Sequence, residues 1–176
     1  MKNLIIYYSY TGNNRFLAER LQKQLDCELI ALNEQKERKT TTILWDLLFR
    51  RKSKLQSIKI DWQKFDQVIF IAPIWDKGIA TPMKTFLMKE KNCFGNYSFF
   101  TVCTGRRRQN EKFIQQLLAF TGRRPDFVYE LAVNDLLPAH QKGKVKYTTP
   151  YRISEKDFDI WGNKFDEFKK LINSEA

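Results

Sequence analysis

The chain has 176 residues, of which 43% are hydrophobic and 14% aromatic, so it is long and apolar enough to bury a core. Its formal net charge of +11 predicts attraction to acidic proteins or to anionic membrane surfaces. No zinc-finger, RNA-recognition or helix-turn-helix pattern accompanies that charge, which argues against nucleic acid as a partner. The N-terminus lacks an apolar segment suited to secretion or to a membrane span, so we expect a cytoplasmic protein.

The residues that usually hold metals or act as nucleophiles are few and scattered. The cysteines, Cys27, Cys93 and Cys103, form no Cys-x-x-Cys pair, and we expect free thiols, two of them buried in strands. The single histidine, His140, excludes most histidine-rich metal sites and leaves no Ser-His-Asp set. We therefore expect no metal, and the catalytic residues stay unknown.

The first stretch, residues 4–21, is typical of a strand, a polar turn and a helix. Five apolar or aromatic residues, Leu4 to Tyr8, indicate a buried strand. Helical spacing follows in Phe16, Leu17, Leu21 and Leu25. The turn between them is the candidate ligand site, and it consists of Ser9, Tyr10, Thr11, Gly12, Asn13 and Asn14.

The chemistry of this turn suits a phosphate monoester. Ser9 and Thr11 offer hydroxyl donors. Asn13 and Asn14 offer amide donors, and the first N–H groups of the following helix lack an intrahelical partner. Gly12 lets the chain turn closely around an anion. The turn matches neither the Mg-nucleotide P-loop nor the Gly-x-Gly-x-x-Gly pattern of dinucleotide sites. The alternative is an ordinary N-capped helix, in which Thr11 or Asn13 satisfies the helix end and nothing binds.

Residues 27–60 contain a second strand and a basic insertion. The run from Cys27 to Leu32 indicates a short strand, and residues 33–60 are charged around an apolar centre. Within the insertion, positions 44, 47, 48 and 51 mark one face of a helix flanked by lysines and arginines. This helix either packs on its own domain as a lid or docks on a partner or a membrane surface.

Strands and helices alternate through the rest of the chain. The predicted elements are a strand at 68–72, a loop at 73–82, a helix at 83–89, a strand at 97–102, a loop at 103–110, a helix around 113–118, a strand at 127–133 and a helix at 154–173. The strand at 68–72 is continuously apolar, as a strand buried on both faces should be. Pro82 suits the first turn of the helix that follows it.

This alternation implies one α/β domain over residues 1–176, with a parallel sheet and right-handed crossovers. Five strands fit the doubly wound order 2-1-3-4-5, with helices on both faces. In that order the ligand crevice lies at the carboxyl ends of the first and third strands, where the winding changes direction. We expect the polar loops after the first, third and fourth strands to converge there.

On these residues the chain resembles the flavodoxin family, and within it the bacterial flavodoxin-like proteins with an insertion after the second strand. In that family the loop after the first strand reads Ser-x-Thr-Gly-Asn-Thr and holds the phosphate of FMN. Here Asn14 replaces the last threonine, and an asparagine can still donate a hydrogen bond. The resemblance implies a single flavodoxin-like domain with FMN as its cofactor.

A second segment, from Ala72 to Leu87, resembles the family segment that borders the isoalloxazine ring. The resemblance places Trp75 on or beside the flavin, and backbone near Lys77 and Gly78 within reach of flavin N5. The alternative for Trp75 is an aromatic side chain of the core or its rim. The cofactor-binding residues implied here are Pro73, Ile74, Trp75, Asp76, Lys77 and Gly78.

The third loop, which contributes Thr104, Gly105 and Arg106, departs from the family pattern. Relatives often have acidic residues near the ring, whereas this chain continues with Arg107 and Arg108. Cations at this place predict a less reducing flavin than in acidic flavodoxins. The alternatives are that the arginines bind a second anion, such as a nicotinamide-nucleotide phosphate or a carboxylated substrate, or that they are simply solvated.

Three functions stay open. The first is an FMN-binding redox protein, either an electron carrier or a small oxidoreductase, served by a redox partner protein or a nicotinamide nucleotide. The second is an enzyme similar to the flavodoxin-fold protoporphyrinogen oxidases, which share long insertions and basic character. The third is a non-catalytic basic binding module that kept the fold. Residues 134–152 would cover the flavin edge or form a subunit contact.

Overall fold

The computed structural model describes residues 2–35, 53–75, 78–105 and 110–161, in which strands alternate with helices. The strands are β1 (Asn3–Tyr7), β2 (Glu28–Ala31), β3 (Gln67–Ile71), β4 (Ile74–Trp75), β5 (Gly78–Ile79), β6 (Asn96–Cys103) and β7 (Val128–Ala132). The α-helices are α1 (Asn13–Leu25), α2 (Thr81–Glu90), α3 (Asn110–Thr121), α4 (Val133–Leu136) and α5 (Val145–Thr148). Short 3-10 helices lie at Trp62–Lys64 and Ala139–Gln141, and residues 157–161 are helical.

Five strands form one sheet in the order β2-β1-β3-β6-β7, and every neighbouring pair is parallel. Since β6 and β7 are the fourth and fifth predicted strands, the predicted order 2-1-3-4-5 is confirmed. The winding direction changes between β1 and β3, as a doubly wound fold requires. The structure adds a feature that the sequence did not predict, because β4 and β5 pair as an antiparallel hairpin in the loop after β3.

The sheet is buried on both faces because its strands alternate apolar side chains between two layers. Leu4 and Ile6 face the layer that contains α2 and α3, whereas Ile5 faces the layer that contains α1. All five residues of β3 are buried, which explains the continuous apolar run in its sequence. Helices therefore cover both faces, as predicted.

The first helix includes the last two residues of the predicted polar turn. Asn13 and Asn14 belong to the first turn of α1, so the turn itself ends at Gly12. Gly12 has a φ of 94°, in the left-handed region that glycine adopts readily. The predicted strands and the helix at 83–89 differ from the observed limits by one or two residues, and Pro82 lies in the first turn of α2 as predicted. The helix predicted around 113–118 is longer, because α3 extends three residues beyond it at each end. The helix predicted to begin at residue 154 begins at residue 157.

Two predicted helices lie wholly or largely outside the described residues. The helix around 44–51 is one, and the part of the 154–173 helix beyond residue 161 is the other. The base of the insertion is described: the Gln35 N–H donates to the Lys54 carbonyl and the Gln56 N–H to the Asn33 carbonyl, both at 2.9 Å. No helix in the described ranges has the length and apolar composition needed to cross a membrane.

The cysteines are free thiols, as predicted, but they are less buried than the sequence indicated. Cys27 and Cys103 are half-buried and Cys93 is exposed. The prediction of two buried thiols was wrong because Cys27 precedes the edge strand β2 and Cys103 is the last residue of β6. His140 is exposed on a 3-10 helix, as predicted for an ordinary loop histidine.

A buried asparagine of α1 completes the sheet beyond the end of β3. Asn14, which is 2% exposed, donates its side-chain amide to the Val102 carbonyl at 3.1 Å and accepts the Val102 N–H at 2.9 Å. Toward the carboxyl edge, the last backbone hydrogen bond between the β3 side and β6 runs from the Ala72 N–H to the Phe100 carbonyl. Asn14 thus stands in for the strand partner that Val102 lacks.

The substitution Asn14→Ala should lower the free energy of unfolding by about 2 to 3 kcal/mol, because it leaves the buried N–H and carbonyl of Val102 without partners. Urea denaturation of the apoprotein measures this loss. The control is Gln24→Ala at an exposed position of the same helix, which should change stability by less than about 0.5 kcal/mol. Equal stability of the two variants would contradict the role given to Asn14.

A second buried polar group lies at the start of β6. Tyr97 is fully buried, and its hydroxyl lies 3.0 Å from Thr121 Oγ1 and donates to the Arg123 carbonyl at 3.0 Å. Burial raises the pKa of Tyr97 to about 12; the hydrogen bond to Thr121 opposes this rise, and the charge of Asp126 adds to it. The folded protein therefore favours the protonated phenol.

Stability should fall in alkaline solution as Tyr97 ionises. The folded pKa lies above the usual value of 10.0, so the stability linked to Tyr97 is complete below pH 10 and is lost as the pH rises toward about 12. The loss is on the order of 2 kcal/mol, and urea unfolding at a series of alkaline pH values measures it. Tyr97→Phe should be less stable at neutral pH but should show a shallower alkaline decline. An unchanged decline in that variant would assign the effect to other groups.

Candidate functional site

The loops after β1, β3 and β6 share one edge of the sheet, because these strands are parallel neighbours. The described parts of these loops are residues 8–12, 72–75 with 78–80, and 104–105. The expected convergence of the three loops thus follows from the observed strand order. Their common edge contains the crevice between β1 and β3, where proteins of this winding bind ligands.

The loop after β1 leads into a helix that no side chain caps. The Gly12 N–H donates to Ser9 Oγ at 3.2 Å, which closes the turn, and α1 has no side-chain cap at its N-terminus. The first intrahelical bond runs from the Phe16 N–H to the Gly12 carbonyl at 2.9 Å. The N–H groups of residues 13–15 therefore have no acceptor within the helix. The alternative reading, in which Thr11 or Asn13 caps α1, is wrong.

The side chains of Asn13 and Asn14 have other partners than the predicted anion. Asn13 donates to the Tyr151 carbonyl at 3.0 Å and accepts the Ile153 N–H at 3.2 Å, while Asn14 bonds to β6. Both side chains are buried, at 8% and 2% exposure. The donors left for an anion at this end of α1 are the backbone N–H groups and the hydroxyls of Ser9 and Thr11.

The aromatic side chains of the turn and of the hairpin differ in exposure. Tyr10 is 40% exposed, and its side chain lies at the surface of the turn. Trp75 is half-buried, and its ring meets the buried ring of Tyr8 edge-on, with centroids 6.4 Å apart and an interplanar angle of 81°. Tyr8 in turn donates its hydroxyl to Glu34 Oε2 at 3.3 Å. Trp75 is thus held at the rim of the carboxyl edge rather than inside the core.

The hairpin that carries Trp75 is narrow and closely packed. Trp75 pairs with Gly78, and the Ala80 N–H donates to the Pro73 carbonyl at 3.0 Å, so the loop closes on itself beside Ile74. Gly78 has a φ of 135°, and a Cβ there would come within 2.2 Å of Gln116 Oε1. Only glycine fits this position. Asp76 and Lys77, at the tip, lie outside the described residues.

The third loop packs against the end of β7. Gly105 has a φ of 72°, and a Cβ on it would come within 2.4 Å of the Ala132 Cβ. The Asn134 N–H donates to the carbonyl of the exposed Thr104 at 3.2 Å. Arg106 and the two arginines after it lie outside the described residues, so their predicted roles stay predictions.

Several residues at this edge were missed by the sequence analysis. Gln116 reaches the hairpin from α3, and the backbone of Tyr151 and Ile153 binds α1 across more than 130 residues of chain. The Tyr151 hydroxyl donates to Asp157 Oδ1 at 2.8 Å, and burial together with this carboxylate raises the pKa of Tyr151 to about 12. Helical periodicity indicates that Gln116 lies on α3, but no local pattern predicts these long-range contacts.

Solved structures of other proteins share this architecture. A flavoprotein of Lactobacillus acidophilus NCFM, crystallised in complex with FMN, matches with a TM-score of 0.63 and 23% identity, over 73% of this chain and 92% of that one. The apo-form of the flavoprotein from the same organism, solved by NMR, matches with a TM-score of 0.58 and 25% identity, over 73% of this chain and 91% of that one. A provisionally assigned flavoprotein of Bacteroides eggerthii DSM 20697 matches with a TM-score of 0.63 and 15% identity, over 75% of this chain and 87% of that one. No protein-family model and no curated protein matches the chain.

The likeness extends over about three-quarters of the chain and nearly the whole length of each of these three proteins. It agrees with the parallel sheet order and with the change of winding between β1 and β3. This chain therefore has a flavodoxin-like fold.

Proposed function

We propose that the chain binds FMN and acts as a redox protein, either an electron carrier or a small flavin-dependent oxidoreductase. The observation that carries this proposal is the uncapped N-terminus of α1, which lies behind the Gly12 turn at the crevice between β1 and β3. The FMN complex of the Lactobacillus acidophilus protein with the same fold supports it.

The residues at this helix end fit a phosphate dianion. Three backbone N–H groups without intrahelical acceptors and the positive end of the helix dipole favour a negative charge there. The hydroxyls of Ser9 and Thr11 would add hydrogen bonds, and Gly12 has no side chain to obstruct the approach. Asn13 and Asn14 would contribute through their backbone, because their side chains already hold the surrounding structure together.

The neighbouring loops fit a flat heterocycle. Trp75 offers an indole at the rim of the crevice, with Pro73, Ile74 and Gly78 beside it in the same hairpin. Thr104 and Gly105 provide the facing loop. Bound FMN would supply the one- and two-electron chemistry, while the protein binds it, orients it and limits its contact with water.

A redox partner protein and a nicotinamide nucleotide both suit a flavin, and the influence of Arg106 on its potential stays a prediction. No described residue favours a porphyrinogen substrate or a purely binding role. A purely binding role predicts that the apoprotein has no affinity for FMN in the titrations below.

The substitution Thr11→Glu should weaken FMN binding by about 30-fold or more, since a carboxylate beside the helix end repels the phosphate by roughly 2 kcal/mol. Riboflavin lacks the phosphate, so its affinity should change by less than about twofold. Fluorescence titration of the apoprotein with each flavin measures both values. Gln24→Glu makes the same change of charge at the other end of α1 and should leave both affinities unchanged. Equal losses for the two flavins would contradict the phosphate assignment.

The substitution Trp75→Leu should weaken FMN and riboflavin alike, by about fivefold to tenfold, because it removes contact with the ring and leaves the phosphate site intact. The remaining bound flavin should also fluoresce more brightly, since an adjacent indole quenches the excited flavin by electron transfer. Trp62→Leu is the control, because Trp62 packs on Phe86 and Phe94 before β3, at the amino edge of the sheet. Unchanged affinity and brightness in Trp75→Leu would remove Trp75 from the site.

A further inference from the structure

A single segment, residues 134–153, joins two of the loops at the carboxyl edge. It starts beside the third loop, where the Asn134 N–H donates to the Thr104 carbonyl at 3.2 Å. It ends beside the first loop, where the Tyr151 carbonyl and the Ile153 N–H both bond to the side chain of Asn13. The segment therefore borders the candidate FMN site from one loop to the other.

Short helices and local hydrogen bonds shape this segment. It contains the end of α4, the 3-10 helix Ala139–Gln141 and α5. The Gly143 N–H donates to Asn134 Oδ1 at 2.6 Å, which ties its middle to its start. The hydroxyl of Tyr151 is bonded to Asp157, which ties its end to the helical residues 157–161. The side chains that it displays are thus attached to an anchored backbone.

From residue 136 to residue 154 of the chain, every formally charged side chain is positive. Lys142, Lys144, Lys146 and Arg152 are exposed, and no aspartate or glutamate occurs between Asp135 and Glu155. Within the part of the chain that the structure describes, no carboxylate forms an ion pair with these four cations. A run of cations on a fixed surface produces a positive field that attracts an acidic surface and speeds its approach.

We propose that the basic part of this segment, residues 142–152, is the docking surface for an acidic protein. The proposal rests on the proposed function in one respect, since it places the partner beside the loops that would hold FMN. An acidic partner bound here would lie next to the cofactor rather than on the far end of the sheet. The segment carries four of the 31 lysines and arginines of the chain.

The side chains of the segment favour a protein over a membrane or a nucleic acid. Val145, which is 50% exposed, is the largest apolar side chain that the segment exposes, whereas a helix bound to a membrane surface buries a broad apolar face. Tyr147 and Tyr151 are half-buried, so residues 142–152 display no exposed aromatic ring on which a base would stack. Separate lysines around a small apolar centre suit the carboxylates of a folded partner.

The test compares two triple variants of the full chain. The first is Lys142→Gln, Lys144→Gln and Lys146→Gln. The matched control is Lys64→Gln, Lys89→Gln and Lys91→Gln, at exposed positions before β3, in the last turn of α2 and just after α2, at the opposite edge of the sheet. Each variant removes three positive charges and lowers the net charge from +11 to +8.

The probe is a plant-type [2Fe–2S] ferredoxin, chosen as a small acidic protein, and its affinity is measured by isothermal titration calorimetry in low salt and at about 0.15 M. The first variant should bind the probe about tenfold more weakly in low salt, and the control should stay within about twofold of the wild type. Carbodiimide cross-linking should join the probe to Lys142, Lys144 or Lys146 in the wild-type protein. Equal affinities of the two variants, or cross-links confined to other lysines, would overturn the proposal.

Two further measurements separate the alternatives. Phosphatidylserine vesicles and single-stranded DNA are titrated with the same proteins, and a loss in the first variant for either of these, without a loss for ferredoxin, would also overturn the proposal. FMN affinity is measured in parallel. If the wild type binds no FMN, the proposed function fails whatever ferredoxin does, whereas FMN binding with equal ferredoxin affinities rejects the docking surface alone.

Discussion

Two adjacent asparagines in the first turn of α1 hold the carboxyl edge of this protein together. Asn14 bonds to both backbone groups of Val102 in β6, beyond the point where β3 leaves the sheet. Asn13 bonds to the backbone at Tyr151 and Ile153, at the end of the segment that follows β7. The start of α1 is thus fixed to β6 and to the segment after β7, and the loop before it takes its position from these bonds.

The side chains and the backbone at this end of α1 have different roles. The amides of Asn13 and Asn14 are buried in structural bonds, so the helix end keeps its own N–H groups unpaired. A rigid set of unpaired N–H groups binds an anion without a further ordering cost, because the protein has already fixed it. The proposed phosphate site and the proposed docking surface therefore depend on the same turn: its backbone N–H groups would bind the phosphate, and the Asn13 side chain anchors the basic segment.

The sequence was most informative where the structure is local. Local features of the sequence predicted the strand order and the position of the loops. These features include the apolar run of β3, the spacing of Leu17 and Leu21 on α1, and the glycine at residue 12. The sequence did not predict contacts between residues that lie far apart in the chain. From the sequence alone, Asn14 suits the role of a hydrogen-bond donor to phosphate and that of a structural residue equally well, because Val102 lies beside it only after folding. The hairpin around Trp75 is two residues long in each strand, too short to give a periodic signal.

The central claim is that the unpaired N–H groups at the start of α1 bind a phosphate. Nuclear magnetic resonance of the 15N-labelled apoprotein, titrated in turn with FMN and riboflavin, tests it residue by residue. The account predicts that the amide protons of Asn13, Asn14 and Arg15 move downfield with FMN and stay in place with riboflavin, as expected for N–H groups that gain a charged acceptor. FMN binding that leaves these three amides unmoved would contradict it.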